Sequence, residues 1–308
     1  MRCPAASETM PQTQQLNPVY TKQSGSNPCL PPKLATGPAR IRLYHVVGPT
    51  CWWSWGYEAV VHRVRLVYGD QVEIRTPVVP VWQDLEGWLK HSGLDHDGWE
   101  AWAKESQKVM GLPIFTAYGT SVQPKDTTDA VFAILAAGRQ GRPQGERMAR
   151  ALLRRSAVEG RDVTQQAEIL DAAHESGLDL ASFKVALADR KGLEKDLAEQ
   201  EEGMPRLPLG FYNLCVEADD GRRVVLDNAF DPKAAEDAID YLAGGRLRKN
   251  SPSDPVEYLR AVGPAPLVEI ARAFAWPADR AQQVLGGLQR DGALKTVTLA
   301  GATHYVAA

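Results

Sequence analysis

Cys51 and Ser54 are the residues with the clearest chemical potential in this chain, in the run Pro49-Thr50-Cys51-Trp52-Trp53-Ser54-Trp55-Gly56. The run joins an apolar, strand-like segment to a helix-like one. A cysteine at a helix start faces the positive end of the helix dipole and amides without intrahelical partners, and both favour the thiolate. A self-contained disulfide exchanger of this spacing needs a second cysteine three residues on, to resolve the mixed disulfide that the first one forms. Serine cannot do this, although its hydroxyl can donate a hydrogen bond to a thiolate. What remains is the chemistry of one activated sulfur: addition to an electrophilic carbon, capture of a low-molecular-weight thiol, or a mixed disulfide resolved by an external thiol. A Cys-to-Ser exchange made to trap a complex would leave the same pair of residues. The competing reading is a small buried cysteine with a packing role, since free cysteines are among the most buried residues.

Neighbouring residues extend the candidate site. Trp52 and Trp53 flank the thiol and read as an apolar wall for a flat or extended ligand, with Trp55 in the core. Trp82, Trp88, Trp99 and Trp102 read as cement between a helical layer and a sheet. His45, near the end of the first strand candidate, is placed to reach the same edge as a base, although a satisfied, partly buried histidine is the plainer reading. His91 and His96 flank an acidic loop, and neither they nor Cys3, Cys29, Cys51 and Cys215 show metal-ligand spacing, so no metal site is expected. Cys215 alternates within a strand and reads as core. Arg147, Arg150, Arg154 and Arg155 form a helical stripe that reads as a solvated face, or as a contact for an anionic ligand or partner.

Elements must hold these residues. Residues 39–47 form an apolar-rich strand candidate; Ala59, Val60, Val64 and Val67 then fit one helical face, which Gly69 ends. Residues 71–79 read as a second strand, and this β-α-β order favours a parallel pair with a right-handed crossover. Residues 80–120 read as irregular. Residues 124–200 are helical in pattern, with a Gly-rich break at 138–145 and with Gly177 and Gly192 as stops. A hairpin follows over 209–216 and 222–226 around Asp219-Asp220-Gly221, and Asp231-Pro232 opens a helix that runs to Gly244-Gly245. Residues 254–308 give short helical segments and then a terminal hairpin around Ala300-Gly301, the order of a winged helix. Residues 1–38, rich in Pro, Gln, Ser, Thr and Asn, read as a disordered tail.

The layout resembles the DsbA family, specifically its cytoplasmic FrnE-like branch. That branch typically carries Cys-x-Trp-Cys-Trp-Gly, and Cys51-Trp52-Trp53-Ser54-Trp55-Gly56 matches except at the resolving cysteine. A second match is Arg150-Ala151-Leu152-Leu153-Arg154-Arg155 with Val158-Glu159-Gly160-Arg161-Asp162-Val163 and Gly177-Leu178-Asp179. The resemblance spans about residues 40–245. It implies an α/β thioredoxin fold (39–123 and 201–248) with an all-helical insertion (124–200), followed by a small C-terminal winged-helix-like domain (254–308). It also implies a cis-proline beside the cysteine, assigned to Pro208 with Leu207 offering backbone hydrogen bonds to substrate; Met204-Pro205 is the rival pair. Serine-bearing relatives in the wider fold, the hydroxychromene-carboxylate isomerases and kappa-class glutathione transferases, use bound glutathione.

The function expected is therefore thiol-dependent catalysis by one cysteine: a thiol-dependent isomerase, a thiol transferase or a monothiol oxidoreductase. No tightly bound cofactor is expected beyond a low-molecular-weight thiol, and the substrate is a small molecule or peptide. An adaptor that binds partners without catalysis is the alternative, and a redox-responsive DNA-binding regulator is the third class. The net charge of -3 gives no general attraction to nucleic acid. The candidate recognition helix at 278–291 offers Arg280, Gln282, Gln283, Gln289 and Arg290, with Lys295 in the wing, but also Asp279 and Asp291. So sparse a basic surface suits a protein partner or a homodimer better than DNA. No apolar run approaches the roughly 18 residues of a membrane span, and residues 1–5 lack the apolar core of a secretory leader. With so few cysteines, reduced thiols in the cytoplasm are expected.

Overall fold

Strand β1 (Ile41–His45) alternates its side chains, so that Ile41 and Leu43 are buried on one face while Arg42 and Tyr44 take the other. Helix α1 (Trp52–Tyr68) follows and lays Val60, Val64 and Val67, all fully buried, on the first of these faces. It stops at Gly69, where a φ of 53° suits a residue without a side chain. Strand β2 (Val72–Arg75) then pairs in parallel with β1, Ile41 opposite Val72 and Tyr44 opposite Arg75. It is shorter than its apolar pattern suggests because Pro77 interrupts the ladder, which resumes as one bridge between Val47 and Val78. The computed structural model describes residues 40–308, except 82–83, 94, 118–120, 123, 125, 205–213 and 228. The tail expected over 1–38 and the Leu207-Pro208 pair therefore lie outside the described residues.

Residues 80–120 correct the expectation of an irregular stretch, for they contain helices α2 (Leu85–Ser92) and α3 (His96–Met110). Asp95 caps α3 by accepting from the Gly98 N–H at 2.7 Å, and Gly111 ends it in the left-handed conformation. Trp99, Ala103, Ser106 and Met110 recur at helical spacing and are buried; glycines at 87, 93 and 98 mask that pattern in the sequence.

Five helices follow: α4 (Thr128–Gly138), α5 (Arg142–Ala157), α6 (Gln166–Glu175), α7 (Leu180–Ala188) and α8 (Arg190–Gly203). Gly192 is not a stop. It lies in the first turn of α8, where its N–H is bound by the capping Asp189 carboxylate at 3.2 Å. Strands β3 (Leu214–Ala218) and β4 (Arg223–Leu226) complete an antiparallel hairpin, giving the sheet order β2-β1-β3-β4. Helix α9 (Pro232–Ala243), capped by Asp231, joins α1 on the same face, where Tyr68 donates to Asp240 at 2.9 Å. One apolar core runs from this sheet face into the inserted helices.

The C-terminal part comprises α10 (Pro255–Val262), β5 (Ala265–Pro266), α11 (Leu267–Phe274), α12 (Ala278–Arg290), β6 (Leu294–Leu299) and β7 (Ala302–Ala307), with strand order β5-β7-β6. This is the element order of a winged helix. Its own core holds Tyr258, Leu259, Ile270, Phe274, Leu285 and Leu294, and Leu66 of α1 packs against it. Among the described residues no helix is long and apolar enough to cross a membrane.

Candidate thiol site

The loop between β1 and α1 is bent so that Cys51 becomes the first residue of the helical turn. Its N–H donates to the Gly48 carbonyl at 2.9 Å, and its extended backbone (φ -93°, ψ 109°) places it at the helix N-cap. Gly48 is required here, since a Cβ would collide with the Val81 side chain and crowd the Cβ of Cys51 at 3.2 Å. From the inserted helices, the Ser156 hydroxyl donates to the Pro49 carbonyl at 2.6 Å and holds the loop from outside. Cys51 itself is 6% exposed.

Ser54 is fully buried, and its hydroxyl is committed to the backbone. It accepts from the Gly48 N–H at 3.2 Å and donates to the Val46 carbonyl at 3.3 Å. A hydroxyl has one proton, and Ser54 donates it to the Val46 carbonyl, whereas the sequence points to donation to the Cys51 thiolate. Ser54 staples the strand exit to the first turn of α1.

His45 lies beneath that turn. Its Nε2 is 3.1 Å from the Ser54 carbonyl, an acceptor only, so Nε2 carries the proton; its Nδ1 is 3.6 Å from Glu58 Oε1. Burial lowers its pKa, and the neighbouring Glu58 only partly opposes this. The two tryptophans part company. Trp52 is buried edge-on against Trp99 at 4.8 Å and Trp102 at 5.0 Å, which places it in the core rather than in a wall. Trp53 is half-buried and stacks on Phe230 at 5.6 Å. Trp99 and Trp102 pack helix α3 against helix α1 through Trp52, while Trp82 lies outside the described residues. Cys215 is fully buried, and burial pushes its thiol up to about 12, which leaves it inert at neutral pH.

The arginine stripe departs most from expectation. Arg150, Arg154 and Arg155 are buried, not solvated, and each is paired with carboxylates: Arg150 with Glu58 and Glu269, Arg154 with Glu159 and Glu175, Arg155 with Glu168 and Glu175. Sequence reasoning missed the cluster of Glu58, His62, Arg150, Tyr258 and Glu269. The i,i+4 spacing of Glu58 and His62 on α1 was its one local signal; Arg150 and Glu269 arrive from distant elements. Part of this cluster forms the floor of a cavity of about 750 Å³ that His45, Glu58, His62, Arg150 and Tyr258 line. Among the described residues, no group of three or more His, Cys, Asp or Glu is arranged to hold a metal ion.

The chain is similar to several known proteins. A family model described as thioredoxin matches residues 44–200. The chain is 22% identical over 253 residues to the ClpXP adapter protein SpxH of Halalkalibacterium halodurans, spanning 80% of this chain and 81% of that protein. Among solved structures, a provisionally assigned protein disulfide isomerase from Nitrosomonas europaea superposes with a TM-score of 0.50 at 17% identity, over 67% of this chain and 99% of that one. The cytosolic disulfide reductase DsbM of Pseudomonas aeruginosa gives 0.49 at 21% identity, over 66% and 97%.

Proposed function

The chain belongs to the thioredoxin family and has a thioredoxin fold, and from that premise we propose that it is a thiol-dependent enzyme of DsbA-like type acting through Cys51 alone. The observation that supports this is the position of Cys51 at the N-cap of a 17-residue helix, at the positive end of the helix dipole. The Cys51 thiolate attacks a disulfide R–S–S–R; the Cys51 sulfur–sulfur bond forms, and RS⁻ leaves. An external thiolate then attacks the mixed disulfide, restores Cys51 as thiolate and carries R away as a second disulfide. Ser54 contributes the rigid loop, not the resolving group. Trp53 and the Leu207-Pro208 segment are the proposed contacts for substrate, and a low-molecular-weight thiol in a reducing cytoplasm is the proposed co-substrate.

The test is the alkylation rate of Cys51 against pH. The expected midpoint lies below the free-thiol value of about 8.5, and Cys51→Ala removes both the alkylation and any disulfide-exchange activity. A midpoint at the free-thiol value, with no mixed disulfide formed with oxidised glutathione, would sink the proposal.

A second reading, an adaptor, is favoured by the match across 81% of a protein named as a ClpXP adapter. It predicts that Cys51→Ala keeps full binding to ClpXP, with no thiol reaction in the parent protein to lose.

A further inference from the structure

A buried ionic cluster ties the helix of Cys51 to the inserted helices and to the C-terminal module. Arg150 of α5 donates to Glu58 of α1 at 3.0 Å, to Glu269 of α11 at 2.7 Å and to the carbonyl of Val262 at 2.7 Å. Tyr258 of α10 donates to Glu269 at 2.9 Å, so it accepts from the Nδ1–H of His62 at 3.1 Å. His62 Nε2 and His45 Nδ1 each stand 3.6 Å from a Glu58 oxygen. The side chains of Arg150, Glu58 and Glu269 are 7%, 8% and 0% exposed, and Glu269 Oε2 has no hydrogen-bond partner among the described residues. Ions buried in this way cost several kcal/mol each before pairing, and apolar contacts hold elements together as well or better. The module already has such contacts through Leu66, so adhesion alone does not account for the cluster.

The cluster continues to the thiol loop. Glu58 faces His45, His45 binds the Ser54 carbonyl, Ser54 binds the Gly48 N–H, and the Gly48 carbonyl binds the N–H of Cys51. We infer that Glu269, although it belongs to the C-terminal module, is a positioning residue for Cys51: through Arg150, Glu58 and His45 it sets the charge and the geometry beneath the loop that carries the thiol. A partner that engages the module would thereby tune the thiol. The inference rests on the reading of Cys51 as the reactive group.

Its signature is a pair of opposite shifts. Neutralising Glu269 removes one negative charge and leaves Arg150 balanced by Glu58 alone, which favours the thiolate; removing the Arg150 charge leaves two carboxylates unbalanced and disfavours it. The experiment is the pH–rate profile of alkylation by iodoacetamide in full-length protein with Cys3 and Cys29 replaced by serine, compared with Glu269→Gln and Arg150→Gln in that background. Glu269→Gln should move the midpoint down, and Arg150→Gln up, by on the order of half a pH unit; Lys295→Gln, in the wing, should not move it. Superimposed profiles for the parent and a folded Glu269→Gln protein overturn the inference. If either variant fails to fold, Arg150→Lys decides: it keeps the charge but loses the fork that bridges both carboxylates, and an unchanged profile again overturns the inference. An ordinary parent midpoint that still shifts in Glu269→Gln defeats the thiol reading but not the positioning role. A depressed midpoint that no variant moves does the reverse.

Discussion

Ser54 shows how one atom can keep a motif's outline while changing its work. Its hydroxyl links the Gly48 N–H to the Val46 carbonyl at a position with no solvent exposure. Alanine there leaves two buried backbone groups without their partner, so Ser54→Ala should lower stability by about 2 kcal/mol. The measurement is the urea midpoint at constant m-value. A loss below a few tenths of a kcal/mol would mean that the loop is held by the Ser156 contact to Pro49 instead.

At the scale of elements, α1 carries the site and is packed against its sequence neighbours β1 and β2 and against parts distant in sequence: α9, α5 of the inserted helices, and α11. Gly56 marks its tightest approach, for a Cβ there would meet Met110 Sδ at 2.7 Å and Phe230 Cε1 at 2.8 Å. In an exposed helix interior, Gly to Ala gains about 1 kcal/mol. Here overpacking should outweigh that gain, and Gly56→Ala should destabilise by about 1–2 kcal/mol net. Calorimetry checks the sign, and altered tryptophan fluorescence should accompany it, because Phe230 is also the ring on which Trp53 stacks. A rise in Tm would show that Met110 yields at no cost.

For the whole molecule, the buried cluster predicts a particular acid response. Burial pushes the Glu269 carboxyl up, but Arg150, His62 and Tyr258 outweigh it and hold the group at about 2, against an ordinary 4.5. A depressed carboxyl contributes stability above its unfolded value and loses it as the pH falls towards the folded one. His45, whose pKa burial lowers from 6.5, likewise contributes in full above that value and less below it. The urea midpoint should therefore be level above about pH 7, decline below 6.5 and fall more steeply below 4.5. Glu269→Gln should flatten the lowest limb. A midpoint unchanged from pH 7 to about 3 would contradict a cluster that holds the three parts together.

Local pattern was enough to read much of this protein. The stripe of Val60, Val64 and Val67, the Gly69 stop, the parallel β1–β2 pair and the hairpin at Asp219-Asp220-Gly221 are set by nearest-neighbour spacing and turn chemistry, and so was the placement of Cys51 at a helix start. Helices α2 and α3 were illegible because glycines interrupt their periodicity and caps at Asp95 and Gly111 compensate for it. The proton of Ser54, the place of Trp52 in the core and the burial of the arginines were decided by the tertiary structure alone. The first depends on Val46, brought back over the first turn; the others depend on partners farther along the chain, Trp99 and Trp102 from α3 and, for Arg150, Glu269 more than a hundred residues on. Spacing records which side chains share an element; only packing records which charges share a dry interior.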